Sequence, residues 1–188
     1  LVFDYQNMLH AHSHIAALGW VYQMMFVLLV QTYVPEENRS FRRLFIVTQL
    51  SVFGMMVSFP LQGYGTCSII FSALHILCTY SFVFLILKRS VFKNDLEKAA
   101  LRAACMFLLL TTAGILSLAL SIKFFGKGSV QYLLSIQFYL HFLFNGAFVF
   151  GLLAVLFSKM PPDVKAETVR KCIHGISWIA LSVLFGFS

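Results

Sequence analysis

Long apolar runs separated by short polar stretches dominate the chain. A helix needs about 20 residues to cross the roughly 30 Å of hydrocarbon in a bilayer, and six runs have or approach that length. The polar stretches between them include PEENRSFRR, KRSVFKNDLEK and SKMPPDVKAETVRK. This pattern predicts an all-α, polytopic transmembrane helical bundle that forms a single domain over residues 1–188. We place its six helices at residues 8–33, 43–65, 67–87, 99–123, 130–157 and 172–188.

Composition supports a membrane location. The chain is 60% hydrophobic and only 11% charged, which is too few charges to cover the surface of a soluble domain of this size. Its four cysteines are scattered without a C-x-x-C pair, so they read as buried thiols rather than as a disulfide framework or a zinc site. The sequence begins without a methionine and ends inside an apolar run, so we expect a fragment of a longer chain.

The basic residues predict the orientation of the bundle. Of the 14 lysines and arginines, 12 fall in or beside the first, third and fifth connections, and only Lys123 and Lys127 fall on the other side. Lysine and arginine accumulate on the cytoplasmic side of membranes. We therefore expect these connections to be cytoplasmic, the N-terminus to be outside, and the protein to lie in a bacterial inner membrane. The net charge of +7 is then explained by the basic residues of the cytoplasmic connections, and we expect no nucleic-acid partner.

Three histidines, His10, His12 and His14, stand on alternate positions at the outer end of the first segment. Imidazoles are costly in hydrocarbon unless they line a cavity, relay protons or bind a metal or heme. On a helix, residues two apart point about 200° apart, so His10 and His14 face one way and His12 the other. Such a helix can supply ligands on two sides. An extended or interfacial segment would instead bring the outer two imidazoles together on a copper or zinc ion.

Two further histidines lie at a similar depth. His75 is about eight residues into the third segment and His141 about eleven into the fifth. With the N-terminus outside, both fall in the outer half or near the midplane, so five of the six histidines are expected in one layer. His174, at the cytoplasmic end of the last segment, is the exception.

Polar residues recur at helical spacing around both histidines. One stripe comprises Ser68, Ser72, His75 and Thr79, and the other comprises Gln137, His141 and Asn145. A third face, made of Gly114, Ser117 and Ser121, has the small residues typical of helix packing. The first two stripes therefore predict polar sites centred on imidazoles.

The runs HAHSHIAALGW, SVFGMMVSFPLQGYG, SALHIL and FYLHFLFNG resemble divergent cytochrome c oxidase subunit I-like membrane proteins. These are relatives of the heme-copper oxidase and nitric oxide reductase superfamily, and the resemblance spans about residues 3–157. It implies one helix whose two imidazoles ligate two hemes on opposite sides, with heme and copper in the outer half of the bilayer. The adjacent His-His copper pair and the crosslinked His–Tyr motif of the oxidases are absent from this sequence, which has half their usual helix number.

Together these features predict heme bound by histidine in the outer half of the bilayer. The expected ligands are His10, His12, His14, His75 and His141, with copper also possible at the first three. Gln137, Asn145 and Ser72 are expected to orient imidazoles or bind propionates. The expected function is respiratory electron transfer or an oxidase-like step, carried out with other membrane or redox subunits. The alternative is a non-redox protein: a transporter, a proton conduit or a structural subunit of a larger complex.

Overall fold

The computed structural model describes residues 4–35 and 38–160, together with Lys171 and Gly175. Within these residues the chain is helical between its connections and contains no strand. Five helices are long and apolar enough to cross a membrane. The all-α prediction of a bundle of apolar spans is thus confirmed for the described residues. Apart from Gly175, the sixth predicted segment at 172–188, including His174, lies outside them.

Two of the five spans contain a change of helix type. The first and the last are each built from two α-helices joined by a π-helical segment, in which N–H groups bond to carbonyls five residues back. The elements in chain order are α1 Tyr5–His14, π1 Ile15–Val21, α2 Tyr22–Tyr33, α3 Arg39–Gln62, α4 Thr66–Arg89, α5 Asp95–Phe125, α6 Val130–His141, π2 Phe142–Phe148 and α7 Val149–Ser158.

Side-chain caps extend two helices beyond their predicted starts. The Asn38 side chain accepts a hydrogen bond from the N–H of Ser40, so α3 begins four residues before the predicted position. Asn94 and Glu97 form a capping box in which each side chain accepts a bond from the other residue's backbone, and α5 likewise begins four residues early. Polar and charged residues at these starts had been assigned to connections. Three basic residues that the prediction left in connections lie on these helical turns: Arg39, Arg42 and Lys98.

The chain divides into two compact units, Leu1–Val91 and Phe92–Ser188. In the first, α3 and α4 are joined by a tight turn in which Gly63 has a φ of 59°, a conformation that L side chains rarely adopt. The α1 helix packs on α3 through Ala11, and Val52, Met55 and Phe59 complete that core. One unit thus brings the first three predicted segments together.

In the second unit α5 packs against α6, π2 and α7. A Cβ at Gly114 would lie 2.9 Å from the backbone nitrogen of Tyr139, so the helices approach closely there. Farther along, the hydroxyls of Ser121 and Ser135 are 3.2 Å apart. The predicted role of this small-residue face in helix packing is therefore confirmed.

Candidate functional site

The α1 helix divides the N-terminal histidines between two faces. His10 and His14 are half-buried, and their rings lie 5.0 and 6.5 Å from the ring of Tyr64. His14 also lies edge-on to Phe59, with ring centroids 4.5 Å apart. His12 is exposed. Because Tyr5–His14 is helical, these histidines do not form the extended segment of the alternative, and His10 and His14 share one face of α1.

Both π-helical segments begin directly after a histidine. The first follows His14 and the second follows His141. Each also contains a glycine at a close helix contact: a Cβ at Gly19 would lie 2.9 Å from Val52, and one at Gly146 would lie 2.7 Å from Phe107. Because π-helical turns are rare and often occur at functional sites, they single out the two histidines.

His75 is the most completely buried imidazole in the described part of the chain, with 3% of its surface exposed. The hydroxyl of Thr79, one turn later on α4, donates to the backbone carbonyl of His75 at 3.0 Å. The same oxygen lies 3.5 Å from Nδ1 of the His75 ring. A hydroxyl has one proton, so an oxygen that donates to the carbonyl interacts with Nδ1 as an acceptor. This contact favours the tautomer with hydrogen on Nδ1 and the lone pair on Nε2.

The Nε2 atom of His75 is buried and has no hydrogen-bond partner among the described residues. The ring of Tyr22 packs edge-on against this imidazole, with centroids 5.0 Å apart. His75 lies close enough to His14 for their charges to interact, as does His14 to His10. Three imidazoles therefore follow one another from the N-terminal end of the first unit toward its interior.

One contact between α3 and α4 shows which residues of the two helices lie beside each other near His75. The Ser72 hydroxyl lies 3.4 Å from the sulfur of Met55, which aligns the two antiparallel helices. On the side away from the turn at residues 63–65, the site is closed by aromatic rings. Phe26 lies 4.4 Å from Phe82 and 6.3 Å from Phe41, measured between ring centroids.

Some neighbours of His75 were not among the predicted site residues. Two residues of the predicted polar stripe do lie there: Ser72, a predicted site residue, bonds to Met55 and to the carbonyl of Ser68, and the Thr79 hydroxyl lies beside the imidazole. Tyr22 was missed because its contact with His75 depends on how α2 meets α4. Gln23 was also missed; it is buried, and neither amide atom has a hydrogen-bond partner among the described residues. The sequence does mark Gln23, because its polar amide lies in the middle of an apolar span.

The second polar stripe belongs to the second unit and is more open. Gln137 and Asn145 are exposed and His141 is half-buried. The Asn145 amide nitrogen lies 3.2 Å from Nδ1 of His141, consistent with an amide that orients the ring. Gln137 makes no hydrogen bond within the described residues.

Within the described ranges, no group of three or more His, Cys, Asp or Glu residues converges. A heme needs fewer protein ligands, since the porphyrin supplies the equatorial nitrogens, and a single buried imidazole nitrogen without a partner fits one axial position. No protein-family model, curated protein or solved structure matches the chain.

Proposed function

We propose that the protein is a heme-binding membrane protein of the electron-transfer type, in which His75 is an axial ligand. The observation that carries this proposal is the Nε2 atom of His75, which is buried and lacks a partner. A buried polar atom left without a partner costs about 1–3 kcal/mol. Coordination to iron would offset that cost, and the favoured tautomer presents a lone pair at that nitrogen.

The surroundings of His75 suit an axial ligand. Histidines that bind metals usually engage their other ring nitrogen with a nearby polar group, which orients the ring, and Thr79 is positioned to do this. Tyr22 and the neighbouring phenylalanines exclude water from the site. A bound heme would supply a one-electron redox couple, and the apolar surroundings would influence its potential. His14 and His10 are candidates for further ligands because they share the face of α1 that contacts Phe59 and Tyr64 in the same unit.

The same proposal includes the orientation predicted from the basic residues. Arg39, Arg42 and Arg43 on α3, and Lys88 and Arg89 at the end of α4, are exposed at the same end of the first unit. The N-terminus and the turn at residues 63–65 would then face outward, which puts His75 in the outer half of a bacterial inner membrane. Redox partners, and any oxidase-like step, would come from other subunits.

Absorption spectroscopy of the purified protein tests this function. A Soret band and stoichiometric iron by elemental analysis are expected, and His75→Ala should remove or shift the band. His12→Ala is the matched control, because that imidazole is exposed and contacts none of the site's rings. A colourless wild-type protein that contains no iron and does not bind added hemin would refute the proposal.

A non-redox protein that moves protons is the second candidate. The series of His10, His14 and His75 favours it, since imidazoles that lead from two half-buried positions to a buried one fit a proton route. This candidate predicts a colourless protein that produces proton flux in vesicles, and that His75→Ala abolishes the flux. Flux without an absorption band would support this candidate over heme binding.

A further inference from the structure

The two histidine-centred polar stripes lie in opposite environments. The first is turned into its own unit, where only 3% of His75 and 5% of Thr79 is exposed. The second is turned outward, because Gln137 and Asn145 are exposed and His141 is only half-buried. The second unit therefore has a row of polar side chains on the outer surface of one span.

The outward stripe lies in the middle of its span. The span is Val130–Ser158, with 29 residues, so Phe144 is at its midpoint. At a rise of about 1.5 Å per residue, His141 and Asn145 lie within about 5 Å of that midpoint and Gln137 lies about 10 Å from it. All three fall inside a hydrocarbon core that extends about 15 Å to either side. Lipid tails offer these side chains no hydrogen bond, so the stripe requires protein against it.

Apolar residues extend the stripe into a seam along the helix. The seam consists of positions 130, 134, 137, 141 and 144, which are separated alternately by four and three residues. This is the repeat with which two helices pack side by side. Val130, Leu134 and Phe144 are exposed, as are Leu133 and Leu140 beside them. The seam thus combines the spacing of a helix–helix interface with polar groups at its centre.

Asn145 determines which hydrogen-bonding groups the seam presents. Its amide nitrogen is a donor and lies 3.2 Å from Nδ1 of His141, so Nδ1 accepts and the neutral ring has its hydrogen on Nε2. This is the opposite of the tautomer favoured at His75. The Asn145 carbonyl is an acceptor, and the amide of Gln137 is both donor and acceptor. A seam that carries donors and acceptors together can bond to an identical copy of itself.

We propose that the seam is the interface of a parallel homodimer, in which the same span of a second copy packs against it within the membrane. Two copies inserted with the same orientation are related by a two-fold axis along the membrane normal, which puts each seam residue opposite its own counterpart. The two Gln137 amides then face each other, and one donates its N–H to the carbonyl of the other. Hydrogen bonds of this kind join helices within membranes. The inference does not depend on heme at His75.

Cysteine crosslinking in vesicles tests the homodimer. Gln137→Cys and Leu134→Cys are each made in a background without the native cysteines, and the purified protein is reconstituted at low density and oxidised. Gln49→Cys is the matched control, because Gln49 is also an exposed amide near the middle of a span but has only apolar neighbours on its face of α3. A disulfide requires Cβ atoms about 4 Å apart, so we expect linked dimers at positions 137 and 134 to form about tenfold or more faster than at position 49.

Equal rates at positions 137 and 49, or no linked dimer at positions 137 and 134, would overturn the proposal. Either result would mean that a different subunit or another segment of this chain covers the stripe, because a single cysteine can be linked only to that of a second copy.

Energy transfer between copies that carry donor and acceptor dyes on a terminal tag gives a second measurement, which needs no cysteine in the seam. Gln137→Leu removes the amide but keeps a side chain of similar size, and should weaken the dimer about three- to tenfold. Gln49→Leu should leave it unchanged. A monomeric wild-type protein, or equal dimerisation by the wild type and Gln137→Leu, would overturn the proposal. The absence of a Soret band would refute heme binding but leave these results unaffected.

Discussion

Replacing Thr79 by valine tests the geometry around His75 most directly. Valine keeps the branched shape of threonine but lacks the hydroxyl that faces Nδ1 of the imidazole. Without that acceptor the Nδ1–H tautomer loses its support, and the ring is held by packing alone. Heme affinity should therefore fall while the fold is retained, because the α4 backbone is unaffected.

The structure limits the size of this effect. Removing a group that orients a ligating histidine typically costs about 10- to 100-fold in metal affinity. The oxygen of Thr79 lies 3.5 Å from Nδ1, at the outer limit of a hydrogen bond, so the lower end of that range applies. We expect heme affinity to fall about tenfold, equivalent to about 1.4 kcal/mol.

Hemin titration of the heme-free protein in detergent, followed at the Soret band, measures this affinity. Thr79→Ser restores a hydroxyl and should bind heme nearly as the wild type does. Thr32→Val is the matched control: Thr32 also donates to a carbonyl four residues earlier, at 2.7 Å, but it lies in the last turn of α2, away from the contact between Tyr22 and His75. Unchanged affinity in Thr79→Val, or an equal loss in Thr32→Val, would refute the role assigned to the Thr79 hydroxyl.

Four further predictions concern stability, measured by denaturant titration in detergent micelles. Gly114→Ala should lower the free energy of unfolding by about 1–3 kcal/mol, because the new Cβ meets the rigid backbone of α6. Gly54→Ala should lower it by at least as much, because the new Cβ would overlap three atoms of the Phe71 ring, including Cγ, in a side chain that packs on the core of the first unit; unchanged stability would contradict this reasoning. His14→Ala should cost about 0.5–1.5 kcal/mol for each ring contact that it removes, with Phe59 and with Tyr64. His12→Ala, at an exposed position, should cost about 0.5 kcal/mol or less. A larger loss in His12→Ala than in His14→Ala would contradict the assignment of the two faces. Asn94→Ala should cost about 1 kcal/mol and Asn94→Gly only a few tenths; no loss in the alanine variant would exclude the cap.

The predicted helices followed from local properties of the chain. An apolar run long enough to cross a bilayer indicates a helix whatever its neighbours are, and the five described spans were all located in this way. Their ends were less accurate, because Asn38 and Asn94 cap helices within stretches that read as polar loops. The π-helical turns after His14 and His141 were not predicted, since no local residue pattern distinguishes them from α-helix.

The sequence by itself determined which residues carry candidate chemistry and which of them share a helical face. His10 and His14 on one side, His12 on the other, follow from helix geometry alone. Only the tertiary structure decided that Tyr22 meets His75, that Ser72 bonds to Met55, and that phenylalanines close one side of the site. The physical reason is that a helix repeat specifies directions around one axis, whereas the register between helices is set by the packing of many side chains at once.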